Sequence, residues 1–573
     1  MTIKDTLKKQ INQIVAGQYG LLGFDFKVDY PPQADLGDYS TNVAMLLGQK
    51  LKKNTLDVAS ELAKQLANKK MWGKVEAVKP GFINFYLNQK WAAGQVAEIG
   101  KENKNYGGSK EGRGKTVVID YSAPNIAKKM HVGHLRSTVI GAALYNIHKF
   151  LGYKVIGDNH LGDWGTQFGK LICEYKKIYG EKIKKNITVE EMEKLYLDWH
   201  KEAKDKPGME EEARKELKKL QDKEKFNYQL WQLFYKVSLA EFKKVYGLLG
   251  VKFEAWHGES FYNKMLESVV ADALTKKVAT KSEGAIIIDL TKYSLPPLMI
   301  QKSDGAYLYG TSDLATIQYR EKHYRPVKNI YVVANQQALH FEQLFKASEL
   351  LGYRGQMEMT HVKFGLILGK SGKKMSTRDG EVADLIEVIR EGIEKAKARI
   401  QEKNKGLKPA ELETIAGAIA LGAIKFNDLS QNRLTDIVFD WDKMLNFESG
   451  SAPYLQYTYV RIQSIFKKTR KRKSTKSTKI NYGLLVEPTE LKLIKNILKF
   501  PEMVEAAANE YKPNIVALYL NELAADFHSF YEQTPVLAAE DAVRQARLEL
   551  IRAVAQVMKT GLRLLGIETP EKM

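Results

Sequence analysis

Cysteine is all but absent. A single thiol, Cys173, in 573 residues excludes an internal disulfide and a thiolate zinc site, and fits a reducing compartment. Long apolar stretches are missing as well. The longest, residues 415–424, holds ten residues, two of them glycine, where a membrane span needs about 20. The opening "MTIKDTLKKQINQIVAGQYG" has no apolar segment behind its first lysines, so no secretory leader is expected. Acidic residues are in short supply, 68 against 89 basic ones, for a net charge of +21. That deficit points to a large anionic partner, nucleic acid ahead of a membrane surface. A lysine-rich proteome is the bland rival. With 44% apolar and 27% charged residues the chain has globular composition, and its length calls for two to four domains. The expectation is a soluble cytoplasmic protein without membrane association.

Along the chain the pattern changes twice. Residues 1–110 read as helices followed by strands. "GFINFYL" there alternates Phe82, Asn84 and Tyr86 against Ile83, Phe85 and Leu87. A glycine-rich polar linker, "NKNYGGSKEGRGK", follows. Residues 111–445 then begin with a β-branched strand, "TVVID". After it comes a helix whose Leu135, Val139, Ala143, Ile147 and Leu151 recur every four residues. "YKVIGDNHLGDWG" is a second strand running into a turn. Strand, loop, helix and strand in that order predict a doubly wound parallel (Rossmann-like) sheet. Residues 181–226 are charged helix, expected to be an insertion with a solvated face and no chemistry. From 446 to 573 the pattern is helical, an expected separate α-domain. The run "KKTRKRKSTKSTK" (467–479) carries eight basic residues and no acidic one. It is either a solvated loop or a contact to a nucleic-acid backbone.

"SAPNIAKKMHVGHLRS" (122–137) holds two histidines around one glycine, with Lys128, Lys129 and Arg136 close by. A metal site would need a third or fourth ligand, and none lies near, so no metal is assigned. A phosphate explains more of these residues. The helix begins at the carboxyl end of a strand, where open α/β sheets place ligands, and its free N–H groups favour an anion. Gly133 would let a planar base approach the backbone. His131 and His134 each offer a ring N–H to a phosphoryl oxygen as charge builds. Two capping histidines are the competing interpretation.

Strand, "HVGH" and the later "KKMSTR" (373–378) together resemble the class I aminoacyl-tRNA synthetases, and the longer string resembles the arginyl-tRNA synthetase family in particular. "GDWGTQFG" (162–169), "YVVANQQALHFEQLF" (331–345), "RLTDIVFDWDKML" (433–445), "APYLQYTYVRIQSI" (452–465) and the terminal "GLRLLGIETPEKM" add to the likeness. So do the N-terminal "GDYSTNVAM" and "PGFINFYL". The resemblance implies activation of L-arginine by ATP with Mg2+, then transfer to the 3′ end of tRNA(Arg), with no prosthetic group. It places His131, Gly133 and His134 on ATP together with Lys374, Met375 and Ser376. His131, His134, Lys374 and Ser376 take catalytic roles. Thr377 stands where many relatives carry a second lysine, and Lys128 matches a lysine that some relatives use in its place; Lys129, Lys373 and Arg378 are rivals for that role. For arginine the family likeness assigns Tyr309 and Asp313 to the guanidinium, with Asp120 beside them. Ser122, Asn125 and Gln337 fall to the amino and carboxylate ends. Asp313 as a helix cap is the local alternative, and His160 and His340 have core-histidine alternatives.

The helical domain resembles the family's anticodon-binding domain, and the N-terminal domain its extra tRNA-binding domain. "PYLQYTYVRIQ" puts Tyr454, Gln456, Tyr457 and Arg461 on one helix, where aromatic and guanidinium planes can stack on bases. The expected working form is a monomer. Two other functions compete: a nucleotidyltransferase using the same histidine pair, and a synthetase-like RNA binder without catalysis.

Overall fold

A computed structural model describes residues 2–206, 208–370, 372, 383–404, 406–470 and 480–573. Helix α1 (Ile3–Tyr19) starts at a capping box between Thr2 and Asp5. Then come β1 (Val28–Asp29), β2 (Tyr39–Thr41), α2 (Val43–Leu51), α3 (Thr55–Ala67), β3 (Trp72–Val78) and β4 (Phe82–Leu87). The strands form an antiparallel sheet in the order β1-β2-β4-β3. In β4 the alternation predicts the buried face, since Ile83, Phe85 and Leu87 are all in the core while Phe82 is exposed. Asn84 departs from it. It is buried, and its side-chain oxygen accepts from the Ser40 hydroxyl at 2.7 Å. Helix α4 (Gln89–Glu102) leads out of this unit.

The central unit starts with β5 (Thr116–Tyr121), α5 (Leu135–Phe150) and β6 (Lys154–Asp158). Helices α6 (Thr166–Tyr179), α7 (Val189–Glu202), α8 (Met209–Gln221), α9 (Lys225–Leu249), α10 (Glu259–Tyr262) and α11 (Leu266–Thr275) follow. A small antiparallel sheet comes next, made of β7 (Ala279–Ser282), β8 (Ala285–Ile288) and β9 (Leu298–Gln301). Then α12 (Tyr309–Tyr324), β10 (Lys328–Val332), α13 (Ala338–Leu350) and β11 (Glu358–His361) complete the main sheet. Its order is β11-β10-β5-β6, all parallel, as the sequence predicts. From β5 the chain first builds β6 on one side, and only later β10 on the other. The strand order therefore reverses between β5 and β10, which opens a crevice at their carboxyl ends. Both HVGH and the loop after β10 lie there.

The remaining elements are β12 (Ile367–Leu368), α14 (Leu385–Lys403), α15 (Pro409–Leu429), β13 (Ile437–Val438), which pairs parallel with β12, α16 (Trp441–Met444), α17 (Ala452–Arg470), α18 (Pro488–Asn509), α19 (Asn514–Gln533) and α20 (Asp541–Leu564). Two buried polar hubs tie the parts together. Glu502 of α18 accepts from the Lys4 backbone N–H at 2.9 Å and the Tyr39 hydroxyl at 3.3 Å, both in the N-terminal unit. Arg136, in the first turn of α5, reaches Asp428 of α15. Its Nε lies 3.2 Å from both carboxylate oxygens, and its Nη1 donates to the Thr435 carbonyl at 2.8 Å. Arg136 thus ties the start of α5 to α15.

Candidate active site

The backbone leaving β5 is strained. Ser122, Ala123 and Ala127 all have positive φ, at 75°, 44° and 62°, in a region L-residues seldom occupy. Hydrogen bonds hold it there. The Ser122 N–H donates to Ser137 Oγ at 2.8 Å, the Ile126 N–H to the Gly162 carbonyl at 3.1 Å, and the Ala127 N–H to Ser238 Oγ at 2.8 Å. These bonds deliver His131 to the mouth of the crevice.

The two histidines are locked in one tautomer. The Gly133 N–H donates to His131 Nδ1 at 3.0 Å, and the His131 N–H donates to His134 Nδ1 at 3.2 Å. A ring nitrogen that accepts carries no proton, so each proton sits on Nε2. Burial, and then the His131 ring, hold His134 down to about 3. Burial and Lys128 lower His131 as well. Near neutral pH both are uncharged donors, their rings 4.0 Å apart. The capping geometry and the donor role thus belong to the same rings. Gly133 has a second reason to be glycine, since a Cβ there would sit 2.7 Å from His131 Cε1.

The adjacent lysines have different partners. Lys129 Nζ lies 3.2 Å from Glu190 of α7 and 3.4 Å from Asp384. Lys128 Nζ stands 4.4 Å from the centre of the Tyr196 ring, also on α7. Among the described residues no carboxylate pairs with Lys128. The chain that follows "KKMSTR" returns to this place. The Val132 N–H donates to the Ala383 carbonyl at 3.1 Å, and the Leu385 N–H to the Met130 carbonyl at 3.0 Å. Lys374, Met375 and Ser376 themselves lie outside the described residues. Among the described residues no three His, Cys, Asp or Glu side chains are grouped to hold a metal.

At the other end of the crevice, Tyr309 opens α12 and is 70% exposed. Asp313, one turn on, is half-buried and binds His340 Nε2 through Oδ2 at 2.6 Å, and that bond raises the imidazole's pKa. His340 is therefore a half-buried partner of Asp313, not a core residue. Sequence reasoning missed Glu259. Burial, and then the Asp163 and Asp313 carboxylates, push it up to about 8. It also raises Tyr309 after burial does, so Glu259, Tyr309 and Asp313 share one electrostatic neighbourhood. Nothing in "WHGESFYN" marks that acid, because a glutamate in a first helical turn is ordinary. Asn125 and Gln337 are exposed at the rim.

Four of the residues expected at the arginine and tRNA sites make internal contacts. Asp120 is buried, and its Oδ2 accepts from Arg320 Nη2 at 2.6 Å. Arg320 is fully buried and also binds Asp158 at 2.8 Å. Asp120 thus serves an internal guanidinium beneath the pocket. The buried Ser122 hydroxyl is shared with Thr138 at 2.8 Å and Tyr246 at 2.7 Å, so it braces the loop. In α17, Gln456 is fully buried and donates to the carbonyls of Ala418 at 3.0 Å and Glu568 at 2.8 Å. Tyr454 is buried too, its ring 5.3 Å from His528. The open face there is Tyr457 and Arg461, joined by Tyr531, whose ring centre lies 5.4 Å from the Arg461 guanidinium. Helix periodicity groups residues by face but does not say which face a distant helix covers.

Three family models match in order. The catalytic domain of "tRNA synthetases class I (R)" covers residues 95–441, the "DALR anticodon binding domain" residues 455–573, and the "Arginyl tRNA synthetase N terminal domain" residues 1–87. The arginine–tRNA ligase of Halothermothrix orenii is 41% identical over 572 residues, 99% of this chain and 98% of that protein. That of Fusobacterium nucleatum is 41% identical over 547 residues, 94% of each. Among solved structures, the arginyl-tRNA synthetase of Plasmodium falciparum aligns over 100% of both chains with a TM-score of 0.85 and 28% identity. The Thermus thermophilus enzyme shares the fold, at 0.84 and 24% identity over 100% of both chains.

Proposed function

The chain belongs to the arginyl-tRNA synthetase family, and on that premise we infer that it is an arginine–tRNA ligase working through the residues described above. An oxygen of arginine's carboxylate attacks the α-phosphorus of ATP, and pyrophosphate leaves. A ribose hydroxyl of the tRNA's terminal adenosine then attacks the acyl carbon of the adenylate, and AMP leaves. An in-line displacement asks the protein for position and charge stabilisation more than for covalent chemistry. The Nε2–H groups of His131 and His134 supply neutral donors to the phosphates. Lys128 supplies the cation, in concert with Lys374, Met375 and Ser376. Mg2+ brought with ATP would add charge neutralisation at the phosphates, beside Lys128. Asp313, Glu259 and Tyr309 receive the guanidinium, whose planar fork suits paired carboxylates. Asn125 and Gln337 meet the amino-acid end, with Asp120 and Ser122 bracing the floor.

On the RNA side, Tyr457, Arg461 and Tyr531 face the anticodon arm of tRNA(Arg). Residues 1–110 bind the tRNA as well, 111–445 carry the chemistry and 446–573 read the anticodon end, in a cytoplasmic monomer. The observation that carries this reading is the pair of neutral Nε2 donors at the strand-order reversal, opposite an acidic pocket of matching charge. The test is ATP-dependent charging of bulk tRNA with each of the twenty amino acids. Arginine alone should be esterified; charging with none would return the chain to the RNA-binding alternative.

A further inference from the structure

The inserted helices are the part of the chain to which the reaction assigns nothing, yet α7 lies against the lysine pair in front of His131. Glu190 in its first turn pairs with Lys129 at 3.2 Å. Six residues later Tyr196 places its ring 4.4 Å from Lys128 Nζ. Tyr196 is itself held edge-to-face by His200, ring centres 4.5 Å apart. Lys128 is also close enough to His131 and His134 for its charge to lower both imidazoles. The Lys128 ammonium thus has one aromatic face of the insertion beside it and the two histidines within reach of its charge.

The kind of partner matters. A carboxylate would hold a lysine by cancelling its charge, as Glu190 and Asp384 do for Lys129. An aromatic face attracts the ammonium through its quadrupole without cancelling the charge or taking up all its N–H donors. Such a lysine is oriented and still cationic towards an incoming phosphate. Lys129 meanwhile bridges α7 to Asp384, in the segment that hydrogen-bonds to Met130 and Val132 just after the signature loop. The insertion is therefore tied through Lys129 to the segment next to Lys128.

We propose that Tyr196 is a positioning residue for adenylate formation, holding the Lys128 ammonium towards the phosphates from the insertion. The proposal rests on the phosphate role of Lys128 inferred above, and the experiment separates the two. The single variants Tyr196→Leu, Tyr196→Gln, Tyr196→Phe and Lys128→Ala, and the double variant Lys128→Ala/Tyr196→Leu, are compared in tRNA charging and in ATP–pyrophosphate exchange with tRNA present. Losing a partly desolvated cation–aromatic contact should lower kcat about tenfold in Tyr196→Leu and Tyr196→Gln, with arginine KM nearly unchanged. Tyr196→Phe, which keeps the ring, should stay near wild type. In the Lys128→Ala background Tyr196→Leu should cost nothing more, because the group it positions is gone.

Tyr196→Gln keeps a polar, helix-compatible side chain, so a folding defect confined to the leucine variant does not spoil the comparison. Wild-type kcat in both Tyr196→Leu and Tyr196→Gln overturns the proposal. So does a loss of the same size in the Lys128→Ala background, since Tyr196 would then act through some other group. Wild-type kcat in Lys128→Ala itself overturns the reading beneath.

Discussion

Glu259 gives the pocket a pH dependence that can be worked out in advance. In the arginine-free enzyme its carboxyl is pushed up to about 8, so near pH 6 only about 1% of it is ionised. Arginine's guanidinium stays charged throughout this range and selects the ionised form. Binding below pH 8 must therefore expel a proton, and each pH unit costs about 1.4 kcal/mol of affinity. Arginine Kd should fall on the order of a hundredfold between pH 6 and 9, steeply at first and then flattening. His340 acts in the same direction. Its pKa is raised by Asp313, and while protonated it competes with the substrate for that carboxylate. The observed midpoints will belong to the coupled group and not to one residue.

Stability without arginine has the opposite trend. A carboxyl whose folded pKa lies above its unfolded one favours the protonated fold. Glu259 therefore costs stability as pH rises from the ordinary carboxylate range through 8. The Tm increase given by saturating arginine should accordingly be larger at pH 9 than at pH 6. Calorimetric titrations in two buffers of different ionisation heat count the released protons directly. Glu259→Gln should abolish most of that release and raise Kd at pH 9, leaving the smaller His340 contribution. A wild-type Kd that stays within about threefold from pH 6 to 9, with no proton released, would refute the reasoning.

Asp313→Ala leaves the guanidinium short of a partner and should raise arginine KM by about 10²–10³-fold, as expected when one partner of a desolvated charge pair is removed. Its Tm should hardly move, and an unchanged KM would leave Asp313 only as the partner of His340. Gln456→Ala removes two buried hydrogen bonds and should cost about 1–3 kcal/mol of stability with tRNA KM unchanged. Arg461→Ala should do the reverse, and thermal melts beside charging kinetics distinguish the two. tRNA affinity should fall with salt at a slope of about −0.7 to −0.9 per phosphate neutralised. Replacing Arg470, Lys471 and Arg472 by serine should flatten that slope; an unchanged slope would make the 467–479 run a solvated loop.

What could be read without the structure is whatever neighbouring residues decide. The β-branched run 117–119 and the four-residue spacing of Leu135, Val139, Ala143, Ile147 and Leu151 predict β5 and α5, and all five of those side chains are in the core. The histidine pair is equally local, because its tautomers are set by N–H groups two and three residues away. Other features depend on distant chain. Asp313 meets His340 across 27 positions, and Arg136 meets Asp428 across 292. Neither partner is written in any window around the residue it fixes. A buried carboxyl such as Glu259 is harder still, since its unusual pKa comes from what surrounds it and not from its own identity.

Lys128 and Lys129 show this limit most sharply. They are identical and adjacent, and no composition or spacing rule separates them. They meet different residues of one helix, α7, in a stretch whose charge density reads as a solvated face. That reading holds for much of α8. It fails for α7, because an amphipathic helix that buries Met192, Leu195 and Trp199 against α6 and α9 has its remaining faces set by that docking. One of those faces then falls over Lys128 and Lys129. Two carboxylates neutralise Lys129 and make it a strut, whereas an aromatic ring leaves Lys128 its charge. On the proposed roles, which lysine can stabilise a phosphate is decided 60 to 70 residues downstream, at Glu190 and Tyr196.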